Sequence, residues 1–129
     1  MSVTTNASEL AQRFRARIAA LRGELRSGLR KWAAEVDAEQ VRLIRGGDAP
    51  GDYPVPVRRG GLLQGHFFDV AGNTTAVVGN RSDHAVSVHE GRGPNTVHGR
   101  RPFLDDAAAA VDGQAIISAA LRRALDTAP

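Results

Sequence analysis

The chain has 129 residues, which is enough for one domain and too few for two ordinary ones. It contains no cysteine, which excludes a disulfide framework and thiolate chemistry, and only 5% of it is aromatic, so the core must be aliphatic and alanine-rich. The net charge is +3, with nine cations against five anions in residues 1–45 and two against four in residues 105–129. A thin core and opposite charge at the two ends favour contacts between copies.

The first predicted element is one long helix over residues 8–45. Apolar side chains recur at steps that average close to one helical turn, which is the periodicity of a straight amphipathic helix. A helix of this length would span roughly 57 Å, more than a domain of this size needs. Part of it should therefore project or pack on a neighbour. The apolar seam is formed by Leu10, Phe14, Ile18, Leu21, Leu25, Leu29, Trp32, Val36 and Leu43.

Two further features of this helix follow from its spacing. A row of arginines lies one residue after seam positions, and its members are Arg15, Arg22, Arg26 and Arg30. Gly23 and Gly28 lie in the helix interior, where glycine costs about 1 kcal/mol relative to alanine. Close approach of another element would compensate for this cost. A composition rich in alanine and glycine would explain the two glycines equally well.

The middle of the chain is predicted to be a loop followed by strands. Residues 46–61 hold several glycines and prolines and cannot form regular structure. Short runs rich in β-branched residues then predict an antiparallel sheet of three to four strands, with a tight turn at Gly72 and Asn73. The predicted strands are residues 62–71, 74–79 and 84–90.

The last part is predicted to be a second glycine-rich loop, residues 91–101, and one helix over 105–125. Pro102 bars helix in the residue before it, and Asp105 or Asp106 can cap the helix that follows. The apolar face of this helix is predicted to comprise Leu104, Ala108, Val111, Ala115, Leu121 and Leu125. We expect Phe103 and Leu104, with Trp32 of the first helix, to be core anchors. The fold class is α+β, a single domain over residues 1–129.

Nothing in the sequence favours catalysis, a metal or a cofactor. His84 and His89 are five apart on a predicted strand, so they point to opposite faces and cannot chelate one ion. The run Ser82-Asp83-His84 names triad residue types, but adjacency in sequence is not triad geometry. The glycine-rich stretches lack the lysine and serine or threonine of a phosphate loop. We therefore expect a protein that is not an enzyme.

The apolar and charged runs of the sequence bear on where the protein is located and on whether it binds nucleic acid. No apolar run approaches the ~20 residues of a membrane span, and the first six residues lack a signal-peptide core. We therefore expect a soluble protein made inside the cell. Arginines on the first helix and on the loops can contact phosphate, but few aromatics are available for stacking and no sequence-reading motif is present. A DNA-binding accessory protein that uses Arg22, Arg26 and Arg30 is thus the alternative function.

Three motifs in order resemble those of one protein family. Residues 57–62, Val-Arg-Arg-Gly-Gly-Leu, are similar to a "Thr-Gly-x-Leu" step, with Arg59 where threonine is usual. Residues 84–91 resemble a "Tyr-Ala-x-x-Val-Glu-x-Gly" strand, with His84 in place of tyrosine. Residues 101–107 are similar to an "Arg-Pro-Phe-Leu-x-x-Ala" motif before the last helix. The family is that of small head–tail connector, neck and tail-completion proteins of long-tailed bacteriophages.

The resemblance implies a structural protein of the virion, in the tail or neck, that is assembled in the host cytoplasm. It implies a homo-oligomeric ring, hexameric or dodecameric, that contacts connector, stopper and tail-tube proteins and joins the tail to the head. Loop arginines would then face a neighbour or make non-specific contact with DNA in the channel. The candidates on the loops are Arg58, Arg59, Arg92, Arg100 and Arg101.

Overall fold

The structure is a computed structural model that describes residues 3–45, 61–72, 74–82, 85, 89 and 102–127. The mixed fold with a long N-terminal helix and a C-terminal helical segment is confirmed. The described part of the chain contains a sheet of two strands, not three to four. The elements in chain order are α1 (Val3–Ile44), α2 (Gly61–Gly65), β1 (His66–Ala71), β2 (Thr75–Asn80), α3 (Phe103–Ala110) and α4 (Gly113–Thr127).

The hairpin of β1 and β2 is antiparallel, with Phe68 opposite Val78 and Ala71 opposite Thr75. Gly72 begins its turn with a φ of +63°, in the left-handed region that favours glycine. The predicted strand over 62–71 is wrong in its first part, because residues 61–65 form α2. There Leu62 is buried and its carbonyl accepts a hydrogen bond from Asn80 Nδ2 at 2.7 Å, which ties α2 to the end of β2.

The predicted strand over 84–90 is also wrong where the structure describes it. Ala85 and His89 are both helical, and Ala85 N donates to Ser82 O at 3.1 Å to form a turn. Ala85 is buried in the core, and the His89 ring meets that of Phe103 edge to face, with centroids 5.3 Å apart. Both described residues of this segment therefore lie at the core, and neither belongs to a strand.

The predicted helix over 105–125 is two helices that meet at an extended residue, Val111 (φ −106°, ψ 124°). The break has a local cause, because Asp112 Oδ1 accepts a hydrogen bond from Ala115 N at 3.0 Å and caps α4. Since α3 begins at Phe103, Asp105 and Asp106 lie in its first turn and are not its caps. Their negative charge there stabilises the helix, because it interacts favourably with the positive end of the helix dipole.

The core lies where α1 crosses α2, α3 and the hairpin. Phe103 is fully buried, whereas Leu104 and Trp32 are half-buried and pack on the core from outside. Apolar residues near the C-terminal end of α1 face this centre. The buried cluster consists of Val36, Leu43, Ile44, Leu62, Ala85, Phe103 and Ala107.

Helix α4 packs antiparallel on the middle of α1 through small residues. A Cβ on Gly28 would lie 2.9 Å from Ala120 Cβ, so the two helices approach too closely there for a larger side chain. Close approach therefore explains Gly28, whereas a Cβ on Gly23 would meet no atom of the described structure within 4 Å. The predicted face of this helix is wrong, because α4 buries Ala120 and Ala124, and its two leucines lie at the surface.

Candidate interaction surface

The N-terminal part of α1 extends beyond the helix that packs on it. Trp32 contacts Gly113, and Arg123 Nε donates to Glu24 Oε2 at 2.9 Å, so residue numbers rise along α4 as they fall along α1. This pairing places the end of α4 beside about residue 20 of α1. We call residues 3–22 the arm. About 15 residues of it lie past α4, a length of roughly 22 Å.

The arm carries a row of exposed apolar side chains, Leu10, Phe14, Ile18 and Leu21, here called the arm stripe. Phe14 is 56% exposed and Leu10 53%, and the other two are 47% and 39% exposed. These residues continue the seam that is buried further along α1. A contiguous exposed apolar face of this kind marks an interaction site more often than an isolated surface leucine does.

The arm stripe continues onto the end of α4. Leu125 is 75% exposed and, with Ala124, Phe14 and Ile18, lines a groove of about 240 Å³ between the two helices. A smaller groove of about 100 Å³ lies further out along the arm, between Arg13 and Phe14. The arm and the end of α4 therefore form an uneven apolar surface on which a partner can pack.

Arginines flank the arm stripe on both sides. At roughly 100° per residue, Arg13 and Arg17 fall on one side of it and Arg15 and Arg22 on the other. Arg13 and Arg17 line the grooves, and all four residues are exposed. The arm thus presents an apolar row between positive charges, and Glu9 is the acidic residue among residues 6–22.

The members of the predicted arginine row differ in what they contact. Arg22, Arg26 and Arg30 are all exposed on α1. Arg26 Nη1 donates a hydrogen bond to Gly72 O, so it also holds the hairpin turn against α1. The loop candidates Arg58, Arg59, Arg92, Arg100 and Arg101 lie outside the described residues. The predicted loop over 91–101 lies outside them as well, and of the predicted loop over 46–61 only Gly61 is described, as the first residue of α2.

A buried polar cluster links α1 to the hairpin, and the sequence interpretation missed it. His66 Nδ1 lies 2.8 Å from Asp37 Oδ2, and the contact requires a proton on this nitrogen. Gln40 is fully buried, and its Nε2 donates to Asp37 Oδ1 at 3.1 Å and to Gly79 O at 3.2 Å. Asn80 Nδ2 donates to Gln40 Oε1 at 3.0 Å.

One signal in the sequence could have predicted this cluster. The apolar seam of α1 skips from Val36 to Leu43, a gap of two turns, and Gln40 occupies the empty position. A polar residue at a seam position in a helix that is otherwise buried there requires partners. The cluster fixes the register between α1 and the hairpin, because Asp37 and Gln40 of α1 both bond to residues of the hairpin.

Neither the histidines nor the acidic residues assemble a metal site in the part of the chain described. No group of three or more His, Cys, Asp or Glu residues among residues 3–45, 61–72, 74–82, 85, 89 and 102–127 could hold an ion. Within the same ranges, no helix is both long enough and apolar enough to cross a bilayer.

Comparisons with protein-family models, with curated proteins and with solved structures gave no match.

Proposed function

We propose that this chain is a structural protein of a long-tailed phage virion, a neck or tail-completion component that self-associates into a ring and joins the tail to the head. The observation that carries the proposal is the arm stripe. A soluble helix that projects with large apolar side chains exposed is unfavourable in water, because each such side chain gains about 1.5–3 kcal/mol when it is fully buried. The four stripe residues are 39–56% exposed, so a partner surface that covers them recovers about half of this free energy for each residue.

The position in the virion comes from the resemblance, and the need for a partner comes from the arm. Three motifs, at residues 57–62, 84–91 and 101–107, occur in the family's order along the chain. The third supplies Phe103, the largest fully buried side chain among the described residues. In this proposal the motif holds the body of the protomer together and leaves the arm to make contacts between protomers.

The test begins with the oligomeric state of the purified protein. Light scattering coupled to gel filtration and electron microscopy are expected to show a hexameric or dodecameric ring. In the variant Phe14→Ser/Ile18→Ser the ring is expected to dissociate while each protomer keeps its helical circular dichroism spectrum, because both side chains are exposed in the protomer. A matched control, Gln12→Ser/Ala19→Ser, changes two exposed residues on the opposite side of the arm and should leave the ring intact.

The role in the virion needs a second measurement. Purified protein added to extracts that hold unjoined heads and tails should join the particles or compete with the resident component. A protein that stays monomeric at all concentrations and neither joins nor competes in this assay would refute the proposal.

The alternative is a DNA-binding accessory protein, and the exposure of Arg22, Arg26 and Arg30 along one row of α1 favours it. Such a monomer should bind random duplex DNA with an affinity that falls steeply with salt. Replacing the three arginines by alanine would reduce the slope of log K against log salt by about 3. Binding with this signature by a protein that does not self-associate would select the alternative.

A further inference from the structure

We propose that the arm stripe of one copy docks on an acidic, alanine-lined face of α3 in a second copy, in a head-to-tail contact. This inference rests on the self-association proposed above and identifies its two surfaces. The receiving face, here called the acidic face, consists of Asp105, Ala108, Ala109 and Asp112.

The acidic face is exposed and lies on one side of α3. Ala108 and Ala109 lie three and four residues after Asp105, so both are neighbours of Asp105 on one side of the helix. Asp112 follows at the break before α4, and all four residues are exposed. Residues 102–121 hold three aspartates and neither lysine nor arginine. The side chain of Asp105 is 68% exposed, although it lies 3.8 Å from His89.

The charges of the two surfaces are complementary. Residues 6–22 hold four arginines and one glutamate, a net charge of 4 − 1 = +3, and residues 102–121 carry −3. Arg13 and Arg22 lie on opposite sides of the arm stripe, so they reach past the apolar row toward whatever covers it. Complementary charge around an apolar contact fixes its orientation and excludes like-charged alternatives, which include an arm packed on another arm.

The shapes of the two surfaces also fit. The arm presents large side chains, Phe14 and Ile18, with grooves between them. The acidic face presents only the methyl groups of Ala108 and Ala109 between its aspartates. Small residues on one helix let a second helix with large side chains approach closely, because ridges of one then fit against the low surface of the other.

Because the two surfaces lie far apart on one protomer, the contact must link successive copies. Helix α3 packs near the C-terminal end of α1, where Phe103 contacts the cluster of Val36 and Leu43. The centre of the arm lies about 25 residues away along the same helix, roughly 38 Å. One copy therefore cannot cover its own arm with its own α3. A contact between two different surfaces leaves one of each unfilled in a dimer, and it closes only in a ring.

The experiment uses charge reversal on each surface separately and then mixes the variants. The arm variant is Arg13→Glu/Arg22→Glu, and the face variant is Asp105→Arg/Asp112→Asn. Each variant alone should require at least about tenfold higher concentration to associate than the unmodified protein does, since like charges then meet at the contact. Asparagine at 112 retains a side-chain oxygen that can cap α4. An equimolar mixture of the two variants should associate again, because each surface then meets its complement. Light scattering measures the mass, and circular dichroism checks that each variant is folded.

A matched control separates local contact from total charge. Lys31→Glu/Arg45→Glu changes the net charge as much as the arm variant does, at exposed positions outside the arm, and should leave association unchanged. If the face variant associates like the unmodified protein while the arm variant does not, the arm packs on another surface and this inference is overturned, whereas the proposed function stands. If the unmodified protein is monomeric throughout, both are overturned.

Discussion

The contact between α1 and α4 at Gly28 can be tested with a pair of glycine substitutions. Alanine at either Gly23 or Gly28 gains about 1 kcal/mol of helix propensity. At Gly23 the new methyl group meets no described atom within 4 Å, so this gain should appear in full. At Gly28 the methyl would lie 2.9 Å from Ala120 Cβ and 3.3 Å from Ile117 Cδ1.

The magnitude at Gly28 follows from the atoms that would have to move. Ile117 Cδ1 can shift by rotation of its side chain, but Ala120 Cβ is fixed to the backbone of α4, so the two helices must separate. Overpacking of this kind costs about 1–3 kcal/mol. Because the propensity gain is common to both variants, we expect Gly28→Ala to be less stable than Gly23→Ala by this amount. The corresponding difference in melting temperature is about 3–5 °C per kcal/mol for a chain of this size.

Urea unfolding followed by circular dichroism at 222 nm measures this difference. All variants must be compared at the same protein concentration, because association stabilises the folded protomer. The double variant Gly28→Ala/Ala120→Gly removes the clash and should show a favourable coupling free energy of about 1–2 kcal/mol in a double-mutant cycle. If Gly28→Ala stabilises the protein as much as Gly23→Ala does, the close approach of α4 to α1 is refuted.

Two further substitutions test the core and the buried polar cluster, each by urea unfolding. Phe103→Ala should reduce the free energy of unfolding by about 3–5 kcal/mol, because the ring is fully buried. Phe68→Ala, at a partly exposed position of the hairpin, should reduce it by less. Equal losses of stability in the two variants would contradict the assigned core. Asn80→Ala removes the donor to Gln40 Oε1 and Leu62 O and the acceptor for Ser82 N, and should cost about 1–3 kcal/mol; a neutral result would mean that this cluster does not join α1 to the hairpin.

The long first helix and the hairpin could be predicted because each is encoded by local signals. Apolar residues repeat at helical spacing from Leu10 to Leu43, and Gly72 supplies a left-handed residue between a run rich in phenylalanine and one rich in β-branched residues. The strand predicted over 84–90 failed for a related reason. Alternation and helical spacing cannot be separated in seven residues when Ala85 and His89 fit either. In the structure both residues are helical, with Ala85 buried in the core and the His89 ring against Phe103.

The same limit applies to the C-terminal segment. Residues 105–125 read as one helix because alanine favours helix throughout, and the leucines marked a plausible apolar face. The tertiary structure decided otherwise, since Trp32 occupies the space beside Gly113 and the close contact at Gly28 admits only the small residues of α4, Ala120 and Ala124. Leu121 and Leu125 are left at the surface.

By itself, the sequence determined that α1 is longer than its own body needs, because that depends only on spacing and length. Which part of the seam stays exposed was decided by the tertiary structure, through where α4 ends along α1. The arm stripe is therefore a property of packing. Its residues have the same spacing as the buried ones, and only the length of the helix beside them separates the two.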